Sequence, residues 1–203
     1  MQVLVNDLQT KFKIGKRLIK RVIERALKDL TGDVIYPLEV SIALVNDEFI
    51  QSLNKRYRGV NEATDVLAFP QDQAASQIVY SPQSIVHGLQ SIVHSPQSIV
   101  HSQKSENRSQ EGSRNLQVAS SSQAKACGYP PILLGDIVVS LDMAECQAKE
   151  YHLPLEEEVI NLTLHGLLHL LGYKDSTPKQ RKVMENKQRE ILRGKNEREA
   201  SLE

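Results

Sequence analysis

Between Leu164 and Asp175 the chain reads LHGLLHLLGYKD, with His165 and His169 four residues apart, Gly172 three further on and Asp175 ten after the first histidine. Residues four apart on a helix stand one above the other on one face, so both imidazoles can point at a single ion. A glycine just past the helix end lets the chain reverse in a left-handed conformation and bring the Asp175 carboxylate back toward the pair. Imidazole nitrogen and carboxylate oxygen both suit Zn²⁺, and three protein ligands leave one coordination position open, which is the arrangement of a catalytic rather than a structural site. The expectation is one zinc ion on His165, His169 and Asp175.

Two histidines on a leucine-rich helix can instead be satisfied core residues, and a bare HxxxH does not separate the two cases. The glycine and the carboxylate at matching offsets favour the metal. Zinc peptidases place a glutamate base directly after the first histidine, and here that position is Gly166. The spacing for zinc is present and the peptidase base is missing, so a metallopeptidase is the least favoured enzyme.

The bulk composition removes other classes. The 203 residues carry 25 basic and 25 acidic side chains, so no global charge draws the chain to nucleic acid and local patches must do so. Six tyrosines, three phenylalanines and no tryptophan make an aromatic platform for stacking bases an unlikely design, so any nucleic acid would be held mainly by its phosphates. Cys127 and Cys146 form no CxxC and no disulfide framework, as suits a reducing cytoplasm, and read as small buried hydrophobes or inert thiols. No apolar run reaches the roughly 20 residues of a membrane span. The first residues, MQVLVNDLQTKFK, contain no signal-peptide core, so a soluble cytoplasmic protein without a membrane partner is expected.

The elements that must position the histidines can be read in order. Residues 2–6 are a short strand. From Lys13 to Leu30 apolar residues recur at helical spacing with Lys16, Arg17, Lys20, Arg21, Arg25 and Lys28 between them, a basic amphipathic helix whose charged face is either solvated or touches RNA. PLEVSIALVND alternates and is rich in β-branched residues, as a strand does. DEFIQSLNKRYRG is a helix ending at Gly59, TDVLAFP a buried or edge strand closed by proline, ILLGDIVVS a strand, and LDMAECQAKEY a helix. After a turn at His152 and Leu153, Pro154 pre-sets the first turn of the histidine helix, whose Glu156, Glu157 and Glu158 suit its positive end. Leucines cover most of that helix, which is therefore buried. A charged helix over Pro178 to Arg193 follows, and residues 194–203 read as a frayed tail. The sum is an α+β fold: a small mixed β-sheet packed with helices, with the metal helix buried at its centre.

Residues 71–126 interrupt this pattern. They are rich in Ser and Gln and carry three copies of QSIVH, starting at Gln83, Gln90 and Gln97. Each copy offers only an adjacent Ile-Val pair, and Pro82 and Pro96 intervene, so the seven-residue period does not make a coiled-coil seam. An inserted, largely disordered repeat within a single catalytic domain of residues 1–70 and 127–193 is expected. His87, His94 and His101 are copied with the repeat rather than placed for a metal.

Three blocks, RYRGVNEATDVLAFP, LLGDIVVS and HGLLHLLGY, make the chain resemble the YbeY-type endoribonucleases over most of residues 35–70 and 130–193. The resemblance implies a zinc-dependent, single-strand-specific endoribonuclease acting on ribosomal RNA, in 3′-end maturation of the small subunit and in ribosome quality control. It implies single-stranded RNA, rRNA and the ribosome or its small subunit as partners. Its metal block ends GYDH, with three histidine ligands, where this chain reads GYKD, so Asp175 stands at the third ligand and Lys174 replaces the aspartate before it. An anionic ligand donates more charge and lowers Lewis acidity, which Lys174 would partly offset.

Arg58 falls at the arginine of the YRG block, where its planar fork can hold phosphate oxygens and stabilise charge growing in a transition state. Its other role is a helix C-terminal cation before Gly59. Arg58 and His165 are the expected catalytic residues. Asp65 and Asp136 lie in matching blocks and either touch substrate or fix turns and strand ends. The competing reading is a ribosome-associated binding factor whose catalysis faded with the third histidine.

Overall fold

The computed structural model describes residues 1–32, 37–71 and 131–199, with side chains described as far as Arg193. The QSIVH repeats, their three histidines and Cys127 lie outside the described residues. Within them the order is β1 (Gln2–Asp7), α1 (Lys16–Thr31), β2 (Leu38–Val45), α2 (Asp47–Arg58), β3 (Val66–Pro70), β4 (Ile132–Ser140), α3 (Leu141–Tyr151), α4 (Leu155–Leu170) and α5 (Pro178–Glu199). The strands form one sheet in the order β1-β2-β4-β3, with β1, β2 and β4 parallel and β3 antiparallel to β4. This is the small mixed sheet with helices that the alternating and helical patterns imply.

Local differences have local causes. Gly15 stands at the N-cap, so α1 begins at Lys16, while Phe12 and Ile14 pack against the core from the segment before it. Pro154 is the N-cap of α4 rather than a residue of its first turn, with extended ψ of 142°. The helix of the C-terminal segment continues to Glu199. Cys146 is exposed on α3 instead of buried.

The sheet separates two apolar clusters. Leu38, Val40, Ile42 and Leu44 of β2 face the larger one with α1 and α4, whereas Val45 and Val138 face a smaller one capped by Ile50 of α2. In β4 Leu133 pairs with Glu39 and Gly135 with Val40, leaving Leu134 as the extra residue of a bulge. A bulge inverts the alternation of a strand, so Leu134 within it and Ile137 and Val139 after it all reach the main core. Helix α4 lies across that core. Leu164, Leu167, Leu168, Leu170 and Leu171 are each at most 1% exposed, and burying one such side chain contributes roughly 1.5–3 kcal/mol.

Gly135 is where the bulge meets the edge strand. Its φ is 142°, and a Cβ there would lie 2.2 Å from the Phe69 carbonyl oxygen. Both the dihedral and the space require glycine. Gly135→Ala is expected to lower stability by about 2–4 kcal/mol, seen as a fall in the urea midpoint. A midpoint equal to that of the wild type would contradict this account of the bulge.

Candidate metal centre

Helix α4 carries the histidines on the one stripe that leucine does not occupy. Next to His165, Gly166 lets the helix press onto the sheet: a Cβ at 166 would stand 2.7 Å from Ile137 Cγ2 and 3.3 Å from Val66 Cγ2. The position that holds the glutamate base of zinc peptidases therefore faces β3 and β4, with no room for a side chain. Gly166→Ala should cost up to about 2 kcal/mol, because overpacking of roughly 1–3 kcal/mol is only partly offset by the roughly 1 kcal/mol that alanine gains in helix propensity. Thermal and urea denaturation would show it, and a stabilised variant would refute the close approach.

The helix then ends as the sequence spacing requires. Gly172 adopts φ 89°, and the amides of Gly172 and Tyr173 donate back to the carbonyls of His169 and Leu168, which turns the chain toward the histidines. The reversal brings the Tyr173 carbonyl to 3.1 Å from His169 Nδ1 and the Asp175 carboxylate to 3.9 Å from His169 Nε2. The two Nε2 atoms of His165 and His169 are 3.1 Å apart. One donor atom from each of His165, His169 and Asp175 lies within 4.8 Å of the others.

These residues fit a divalent ion. With Nδ1–H of His169 donated to the Tyr173 carbonyl, Nε2 is left as a lone pair directed at the shared point. Two ligands on a tetrahedral zinc at about 2.0–2.1 Å stand roughly 3.3 Å apart, close to the spacing of the imidazole nitrogens. Burial lowers the pKa of His165 and the neighbouring His169 lowers it further, while Asp175, Asp65 and the Gln188 amide pull the other way. The net direction favours the neutral imidazole, the form that binds metal. His152, by contrast, closes α3 in a left-handed conformation with its ring on the Lys149 carbonyl.

The three side chains open on a cleft of about 470 Å³ that also includes Arg58, Lys174, Thr64 and Asp65. Arg58 comes from the last turn of α2, before the left-handed Gly59, and makes no ion pair with the described residues. Asp65 anchors the start of β3 and also lines the cleft. Its Oδ1 accepts from the Val66 amide at 2.8 Å and the Thr64 hydroxyl at 3.1 Å, and its Oδ2 accepts from Gln147 Nε2 at 3.3 Å. Asp136 lies in the middle of β4 outside the cleft lining, accepting from Gln71 Nε2 beyond the end of β3. The basic residues of α1 do not line this cleft.

Comparison with known proteins identifies the family of the chain. The family profile of endoribonuclease YbeY matches residues 4–196. Among curated relatives named endoribonuclease YbeY, those of Desulforamulus reducens and Pelotomaculum thermopropionicum are each 32% identical, covering 95% of this chain and 95% of their own. That of Acetivibrio thermocellus is 30% identical, with 97% of this chain and 98% of its own covered. A Thermotoga maritima protein solved in solution superposes with a TM-score of 0.48 at 22% identity, over 95% of this chain and 87% of that one.

Proposed function

Since the chain belongs to the YbeY endoribonuclease family, we propose that it cleaves phosphodiester bonds in single-stranded RNA, acting in the cytoplasm on small-subunit ribosomal RNA during 3′-end maturation and in ribosome quality control. The observation that carries this reading is the convergence of two imidazoles, a carboxylate and a guanidinium on one cleft.

His165, His169 and Asp175 would hold a single zinc ion, which when bound supplies Lewis-acid chemistry at a phosphoryl oxygen. The residues do the rest. The Tyr173 carbonyl fixes the tautomer and orientation of His169. Arg58 can place two N–H groups on the non-bridging oxygens and stabilise the charge that accumulates on them as the bond breaks. Lys174, beside Asp175 at the cleft wall, adds a second cation. Water or the ribose 2′-hydroxyl is the nucleophile, and a cyclic phosphate among the product ends would identify the hydroxyl.

Arg58→Ala should reduce kcat/KM on single-stranded RNA by about 10²–10³, the usual effect of removing a donor to a developing oxyanion, with little change in melting temperature. A folded Arg58→Ala variant that cleaves at the wild-type rate would remove Arg58 from the reaction. The GYKD sequence favours a second reading, a ribosome-associated binding factor without catalysis. Restoration of rRNA processing in depleted cells by a His165→Ala, His169→Ala double variant would select that reading over the enzyme.

A further inference from the structure

A second cleft of about 510 Å³ adjoins the first, and Asp65 and His165 line both. It runs between the end of α3, the first half of α4 and the middle of α5, and the reaction outlined above makes no use of it. Its chemistry differs from that of its neighbour. Asp65, Glu158 and Glu185 give it three carboxylates against the single guanidinium of Arg189, and that cation already pairs with Glu185 at 3.5 Å. The first cleft sets Arg58 and Lys174 against Asp65 and Asp175, and a divalent ion would make it net positive.

This difference decides which part of a nucleotide each cleft can accept. A phosphate entering the second cleft would meet uncompensated negative charge, at a cost that the first cleft does not impose. A neutral ring is not opposed in this way. Leu153 and Leu192 offer apolar surface, and the Tyr151 ring, 60% exposed at the end of α3, can lie against a base. The polar groups are held in place: Gln188 Nε2 donates to the Asn161 carbonyl at 2.9 Å, and Asn161 Nδ2 donates to Glu158 Oε2 at 3.2 Å. Carboxylates only accept hydrogen bonds, so they suit a base that carries an exocyclic amino group.

We propose that the second cleft is a nucleobase subsite for the nucleotide next to the cleaved phosphate, and that Glu158 and Glu185 select adenine, cytosine or guanine there over uracil. The proposal rests on the RNA-cleavage reading. It adds a specificity element that shares His165 and Asp65 with the first cleft.

The test uses the zinc-loaded full chain and four short single-stranded RNAs that differ only in the base flanking the cleaved bond. The three substrates with an amino group should exceed the uracil substrate in kcat/KM by about 10-fold, within the range for one base-edge contact. A Glu158→Gln, Glu185→Gln double variant should bring all four within about twofold of one another. Glu185→Gln alone, on an exposed helix face, should narrow the range if the double variant does not fold. Equal, measurable rates on all four with the wild type, or an unchanged preference in a folded variant, would overturn the subsite. Binding of the same RNAs by fluorescence anisotropy separates the two readings. Selective binding without cleavage keeps the subsite and rejects the nuclease, whereas equal binding of all four rejects the subsite.

Discussion

The site depends on how closely helix α4 approaches the sheet. Gly166 brings the helix backbone against Ile137 and Val66, and that contact fixes the rotation of the helix about its own axis. Once five leucines are committed to the core, His165 and His169 have only the cleft to face. Two imidazoles half-buried among leucines would be costly if left without partners. Here one ring bonds the Tyr173 carbonyl and the two rings share a point at which their nitrogens nearly meet. Packing and chemistry are therefore one constraint, and a change at Gly166 would disturb both.

The supporting elements serve that arrangement. The bulge at Leu134 and Gly135 turns Ile137 toward the main core, under Gly166, and holds β4 against the Phe69 carbonyl of β3. β3 starts at the residue after Asp65, so the edge strand delivers Asp65 to the boundary of the two clefts. At its N-terminus α2 is capped by the Asn46 side chain, and the Asp47 amide donates to Asp142, whose carboxyl is held below its usual pKa by Lys11. The other end of that helix carries Arg58 to the cleft.

Much of this was legible in the chain. The order of strands and helices followed from alternation and helical spacing, and the convergence of His165, His169 and Asp175 from their offsets around Gly172. The rest depends on which elements meet in three dimensions, and no local pattern records that. The sheet order β1-β2-β4-β3 joins segments separated by the whole repeat region. Gly166 marked an absent base in the sequence, but its packing role appears only once Ile137 lies beneath it. The Asp65 carboxylate could be either structural or functional because a strand-end aspartate looks the same in both cases. Glu158 reads in the sequence as helix-end chemistry, and only the approach of α5 shows that it also walls a second cleft.

The central claim is that these three side chains, His165, His169 and Asp175, hold one divalent ion. Zinc titration of the metal-stripped full chain with a competing chelator tests it most directly. The account predicts one zinc per chain, weakened in Asp175→Ala by more than the roughly 10–100-fold that loss of an outer partner costs, and abolished when His165 and His169 are both replaced by alanine. Equal and near-zero zinc in the wild type and Asp175→Ala would contradict it.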